Sequence, residues 1–138
     1  MRTVLDRLGF RPGMTAQAWR VPEALGEVLA PLAEAGDGEV GFRIAFVRDR
    51  AELAVAAAEV AAAYRAGGHL WLCYPKKSGR LRTDLTRDVG WEPIHALGLL
   101  GVAQVALDED WSALRFRLRG EIARVTRRTP TGGAARAP

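Results

Sequence analysis

Apolar runs in the first half of the chain predict three strands. Val40–Val47 and His69–Tyr74 are almost entirely apolar, which is typical of strands buried on both faces of a parallel sheet. Thr15–Val21 mixes apolar and polar residues on each face and predicts a first, less buried strand. The apolar pattern therefore places a sheet at the centre of the fold.

Two stretches with helical spacing of apolar residues separate these strands. The first begins at Pro22 and carries a stripe of apolar residues on one helical face, and Pro31 is expected to kink this helix or end it early. The second, Arg50–Ala66, can be capped by Asp49 and stops at Gly67-Gly68. Strands and helices in this order predict parallel pairing with right-handed crossovers.

The second half of the chain predicts a loop, a broken helix and an antiparallel hairpin. Thr83 has the residue type of a helix N-cap, and Gly90 marks a break between two helical pieces. The acidic triplet Asp108–Asp110 predicts a tight turn between two strands. In order, the predicted pieces are the basic loop Lys76–Arg82, the helices Thr83–Val89 and Trp91–Leu97, and the strands Val102–Leu107 and Trp111–Leu118.

The length and composition predict one α/β domain over residues 1–119 and a basic tail over 120–138. The chain has 138 residues, of which 49% are hydrophobic, enough for one core. Residues 119–138 carry the whole net charge of +4, which leaves residues 1–118 neutral, and the tail is rich in Gly, Pro and Ala and is expected to be largely disordered. Since the body is then neutral, we do not expect it to bind nucleic acid.

Neither a membrane span nor a secretory signal is expected. The chain has no long uninterrupted apolar run, and its first residues are charged. The single cysteine, Cys73, lies in a predicted buried strand, and one cysteine cannot form an intrachain disulfide. These features predict a cytoplasmic protein.

The candidate site lies where the third strand ends. Ligands of open α/β sheets bind at the carboxyl ends of the strands, and a helix N-terminus beside ammonium groups suits a phosphate or carboxylate. The only two lysines of an arginine-rich chain stand together here. The candidate ligand-binding residues are Lys76, Lys77, Ser78, Thr83, Asp84, Arg87, Trp111 and Ser112.

A purely structural role is the alternative for these residues. Asp84, Arg87, Asp88 and the acidic turn would then pair with the lysines and with Arg115 and hold the hairpin against the broken helix. His69 and His95 lack partners at metal-ligand spacing, so we expect no metal. No G-x-S-x-G motif is present, and no catalytic residue can be named.

One resemblance is to class I methyltransferases. The run Ala63–Trp71 resembles the "L-x-P-G-G-x-L" segment that precedes a late strand in that family. The resemblance implies a reduced Rossmann-like sheet, three parallel strands plus a C-terminal antiparallel hairpin, with strand order 1-2-3-5-4. The glycine-rich loop expected after the first strand is absent at Trp19–Glu23. A deep pocket beside Val21 and Val47 would favour S-adenosylmethionine binding.

A second resemblance covers about residues 4–118 and is to a small bacterial family known only as a domain of unknown function. It implies the same fold and a cytoplasmic location, and it supplies no activity. The motifs that carry it are Leu8–Gly13, Tyr74–Ser78, Thr83–Asp88 and Asp108–Phe116.

Together these observations predict a cytoplasmic α/β module that binds a small anionic ligand or a protein partner without catalysis and without a cofactor. A degenerate S-adenosylmethionine-dependent methyltransferase is the first alternative, and nucleic-acid binding assisted by the tail is the second. If Thr15–Val21 is an uncovered sheet edge, it predicts a homodimer through that strand.

Overall fold

The computed structural model describes residues 3–34 and 40–122, so most of the predicted tail lies outside the described residues. The described residues form an α/β fold whose elements follow the chain as helix α1 (Val4–Leu8), strand β1 (Ala16–Trp19), strand β2 (Phe42–Phe46), helix α2 (Arg50–Glu59), strand β3 (His69–Pro75), helix α3 (Glu92–His95), strand β4 (Leu99–Ala106) and strand β5 (Trp111–Leu118).

The strands form one five-stranded sheet in the order β1-β2-β3-β5-β4. β1, β2 and β3 are parallel, whereas β5 is antiparallel to both β3 and β4. The order and directions predicted from the sequence are therefore confirmed. β4 consequently runs parallel to β3, so that both end at the same edge of the sheet, which we call the carboxyl edge.

β3 is the central strand, and its alternating side chains serve two separate cores. Leu70, Leu72 and Tyr74 pack in the core beneath α2. Trp71 and Cys73 pack in the core beneath α1 on the other face. Six of its seven residues are buried, as the apolar run predicts.

The predicted helices are shorter in the structure. The segment after Pro22 forms two separate 3-10 turns, Glu23–Leu25 and Ala30–Glu34, and Pro31, which has no N–H to donate to a preceding turn, lies near the start of the second. The helix predicted over Arg50–Ala66 is α2 followed by the 3-10 turn Ala61–Ala63.

The helix predicted at Thr83–Val89 is wrong, and no helix lies between residues 76 and 91. Thr83 Oγ1 accepts a hydrogen bond from the N–H of Leu85, two residues on, rather than capping a helical turn. Thr86 Oγ1 accepts from the N–H groups of Asp88 and Val89. These local bonds compete with helix formation, and only α3 remains of the predicted Trp91–Leu97 helix.

Glu121, just beyond the predicted domain boundary, packs against the body. Its carboxylate accepts hydrogen bonds from Gly67 N at 2.8 Å, Leu118 N at 2.8 Å and the Tyr64 hydroxyl at 2.9 Å. Arg117 pairs with it at 3.5 Å. Burial, assisted by the Glu121 hydrogen bond, raises the pKa of Tyr64 to about 12.

We predict that this raised pKa makes the fold alkali-sensitive. An unfolded tyrosine ionises near pH 10, whereas folded Tyr64 keeps its proton to about pH 12, so the free energy of unfolding falls between these values. Urea unfolding across this pH range should show that Tyr64 lowers the free energy of unfolding by about 1–2 kcal/mol. This is less than the full shift of its pKa would give, because solvent screens part of the interaction.

Tyr64→Phe should remove this part of the fall, and adding Tyr74→Phe should make the remaining fall smaller still, because burial raises the pKa of Tyr74 as well. An equally steep fall in wild type and Tyr64→Phe would contradict the prediction.

Candidate functional site

The loop that follows β3 is attached to the turn between β4 and β5. Lys76 N donates to Asp110 O at 2.8 Å, which extends the β3–β5 pairing by one residue beyond the end of β3. Gly79 lies so close to the turn that a Cβ atom there would come within 2.9 Å of Asp110 Cα. A side chain at this position would force the backbone apart.

Arg80 fastens the same loop through Asp110. Its backbone N–H donates to Asp110 Oδ1 at 2.9 Å, and its guanidinium contacts Oδ2 at 2.8 Å. The hydrogen bonds from Arg80 lower the pKa of Asp110, and the nearby charge of Lys76 adds to this effect. Asp108 is engaged as well, because its Oδ1 accepts from Asp110 N and Trp111 N, both at 2.8 Å.

A cavity of about 670 Å³ opens between this loop and the sheet, and we call it the cationic cavity. Lys76, Lys77 and Arg87 bring positive charge to it, and no carboxylate is among its lining residues. Within the described residues, none of these three cations has a carboxylate within 4.0 Å. The lining residues are Tyr74, Lys76, Lys77, Ser78, Leu85, Thr86, Arg87, Gln104, Ala106 and Ser112.

A polar cluster on the sheet forms the inner wall of the cavity. Tyr74 lies opposite Ser112 in the β3–β5 pairing. Gln104 Nε2 donates to the Tyr74 hydroxyl and to Ser112 Oγ, both at 2.9 Å. Burial raises the pKa of Tyr74, which keeps the phenol protonated. Tyr74 is also hydrogen-bonded to Ser112, so that Tyr74, Gln104 and Ser112 form one connected polar cluster.

The structure brings together five of the eight residues predicted for the site. Thr83 and Asp84 instead line a neighbouring depression of about 550 Å³ with Arg80 and Arg82. Trp111 is buried on the opposite face of the sheet, 5.2 Å from the Phe46 ring. The five residues found in the cationic cavity are Lys76, Lys77, Ser78, Arg87 and Ser112.

Tyr74 and Gln104 also line the cavity, although neither was predicted as a site residue. Tyr74 ends the predicted strand His69–Tyr74, directly before the loop that carries the lysines. Gln104 is the one polar side chain in the otherwise apolar segment Leu99–Ala106. An isolated amide in an apolar strand is a signal for a local hydrogen-bonding role, and it was available in the sequence.

Acidic residues do fix the loop, as the structural alternative predicts, but their partners differ from the predicted ones. The acidic turn pairs through Asp110 with Arg80 rather than with the lysines. Asp84 accepts a hydrogen bond from the backbone of Arg50 at 2.9 Å. Arg115 contacts the Gly68 carbonyl at 3.3 Å, far along the strand from the acidic turn. The loop is therefore held without the use of Lys77 or Arg87.

The carboxyl ends of β1 and β2 are more closed. A cavity of about 290 Å³ lies there, lined by Val21, whereas Val47 is fully buried and outside it. An Arg20–Glu52 ion pair at 3.6 Å joins two of its lining residues. Arg20 has a φ of 58°, where a methyltransferase would have a glycine-rich loop. The described residues therefore form no deep pocket beside Val21 and Val47 of the kind that would favour an adenosyl ligand.

Neither a metal-binding cluster nor a membrane-spanning helix is found in the described part of the chain. Among the described residues, no cluster of three or more His, Cys, Asp or Glu side chains could hold a metal ion. The same residues include no helix with the length and apolar character needed to cross a membrane.

Comparison with known proteins leaves the family open. No family model matches the chain, and no curated protein matches it in sequence. Among solved structures, the chain is similar to the N-methyltransferase NodS from Bradyrhizobium japonicum WM9, with 16% identity and a TM-score of 0.32. The match covers 75% of this chain and 72% of NodS. The resemblance to a small bacterial family stays a prediction, and the fold assignment rests on the strand order and directions.

We predict that Gly79→Ala loosens the loop from the turn. The added Cβ would meet backbone atoms of Asp110 and Glu109 at 2.9 and 3.0 Å, so one backbone must move. The free energy of unfolding should fall by about 1–3 kcal/mol, the range for overpacking. Hydrogen exchange should accelerate at the amides of Lys76 and Arg80.

Gly41→Ala is the matched control, because an added Cβ there meets nothing within 4 Å. If hydrogen exchange at the Lys76 and Arg80 amides is unchanged in Gly79→Ala, the close contact between Gly79 and the turn does not hold the loop in place.

Proposed function

We propose that this chain is a non-enzymatic cytoplasmic module that binds a small anionic ligand, a phosphate or carboxylate, in the cationic cavity. The observation that carries the proposal is the composition of the cavity lining: Lys76, Lys77 and Arg87 contribute positive charge, and no carboxylate is among the described residues that line it. Asp110 and Asp108 of the neighbouring turn are engaged with Arg80 and with backbone N–H groups.

The hydrogen-bonding groups at the sheet support the same ligand class. An anion needs hydrogen-bond donors, and the Tyr74 hydroxyl and the Gln104 amide line the same cavity as the two lysines. Ser78 and Thr86 add hydroxyl groups at the rim. Hydrogen bonds to a charged group contribute about 1.5–3 kcal/mol each, so a few of them suffice for micromolar binding.

The chemistry of the lining favours binding over catalysis. No carboxylate or imidazole lines the cationic cavity within the described part of the chain, and these groups most often serve as general bases. Cys73 is fully buried, and burial raises the pKa of its thiol well above the usual value, so it is a poor nucleophile. A single buried thiol is also consistent with the proposed cytoplasmic location.

The proposal predicts saturable binding of inorganic phosphate or pyrophosphate that depends on both lysines. Isothermal titration calorimetry at low salt should show at least a tenfold loss of affinity in Lys76→Ala/Lys77→Ala, because two charge-assisted contacts are removed. Arg87→Ala should weaken binding in the same direction. Gln104→Leu should weaken it with no change of charge, since Tyr74 and Ser112 then lose the amide that orients them.

A charge-matched control separates the cavity from general electrostatics. Arg82→Ala/Arg119→Ala also removes two positive charges, but neither residue lines the cationic cavity. Equal losses in the two double variants would contradict a defined site. S-adenosylmethionine and S-adenosylhomocysteine belong in the same titrations. Saturable binding of either compound that survives the lysine changes, together with no phosphate binding, would overturn the proposal in favour of the methyltransferase alternative.

A further inference from the structure

β4 is an unusual edge strand. It spans eight residues, Leu99–Ala106, and pairs only with β5 among the described strands, so its other side presents unpaired N–H and C=O groups. Four consecutive residues from Gly101 are exposed, and the Val102 side chain retains 42% of its accessible surface. A long, exposed, apolar edge is a template for pairing with another strand.

The devices that normally protect an edge are almost absent from β4. Protected edges carry charged residues, prolines or a short strand, and β4 contains no charged residue and no proline. Its one irregularity is a register shift between Gly101 and Ala103, which leaves Val102 without a partner on β5. This single bulge interrupts a strand that is otherwise regular on both sides.

The opposite edge of the sheet provides an internal comparison. β1 has only four residues, and the chain leaves it through Arg20 in the left-handed region and then Pro22. Shortness, charge and proline are the protective devices that β4 lacks. The two edges of one sheet thus differ in the property that controls strand addition.

We propose that β4 is the interface of a homodimer, in which the β4 strands of two copies pair antiparallel and join their sheets into one of ten strands. A two-fold axis brings a strand against itself, so any charge near the axis would face its own copy. The absence of charge from the whole of Leu99–Ala106 satisfies this condition. Exposed Leu97, at 38%, adds apolar surface at the start of the strand.

The geometry of such a dimer also bears on the cationic cavity. An antiparallel pairing of two edge strands places the two-fold axis perpendicular to the sheet, so the same face of both copies lies on the same side. Gln104 and Ala106 of β4 line the cavity on its outer side. The two cavities would therefore open on one common face, with the paired β4 strands between them.

A charge-swap experiment tests the proposal directly. Sedimentation velocity at micromolar to high micromolar concentration should show a dimer for the wild-type chain. Val102→Lys and Val102→Glu should each raise the dimer dissociation constant at least tenfold, because like charges then meet near the axis. An equimolar mixture of the two variants should recover the dimer, since the charges are then opposite.

Two controls keep the outcome interpretable. Circular dichroism and thermal melting should show that both Val102 variants keep the wild-type fold, as expected for an exposed side chain. Ala18→Lys, on the exposed part of β1, should leave the dimer intact. Loss of the dimer in Ala18→Lys but not in the Val102 variants would assign the interface to β1, as the sequence predicts, and would overturn the proposal.

A wild-type chain that is monomeric at high micromolar concentration would also overturn it. In that case truncation after Ile122 shows which occupant covers the edge. A dimer that forms only after truncation would assign the β4 edge to the chain's own last residues.

Discussion

The pairing of β3 with β5 is the constraint on which the rest of the structure depends. β3 is buried on both faces, so it must have a neighbour on each side to satisfy its backbone groups. β2 supplies one side in parallel, and β5 supplies the other in antiparallel. Because β5 runs backwards, the turn that precedes it comes to the carboxyl edge, where the Lys76 N–H meets Asp110 O. This hydrogen bond holds the loop after β3 in place, although no helix follows the strand directly.

The two-residue period of the strands then decides which side chains share the cationic cavity. Tyr74 and Ser112 are opposite one another and point to the α2 side of the sheet. Trp111 comes one residue earlier and points to the α1 side, against Phe46. Adjacent residues of one strand thus serve different layers of the fold, and proximity in the sequence does not bring them to the same site.

Most of the sheet could be predicted from the sequence, whereas the conformation of the loop after β3 could not. The apolar run at β3, the stop at Gly67-Gly68 and the acidic turn before β5 are strong local signals for the strands themselves, whereas the correct strand order came from the resemblance to class I methyltransferases. The helix predicted at Thr83 fails because a threonine can cap a helix or close a local turn, and residue type does not separate the two. Lys76, Lys77, Ser78 and Ser112 are found together because they lie next to strand ends at one edge of the sheet, whereas Arg87 reaches the cavity from the loop after β3.

The loop between β3 and α3 is held by a hydrogen bond on each side of its most exposed residues, so the loop can change in length between these two positions. Asp110 holds the N–H of Arg80, and Asp84 accepts from the N–H of Arg50. Between these two anchors, Leu81 and Arg82 are exposed. The number of residues between the anchors can therefore vary while each anchor keeps its position. Insertions at this point would add new contacts beside the lysines and leave the sheet untouched, so that one scaffold could acquire different selectivities through loop length alone.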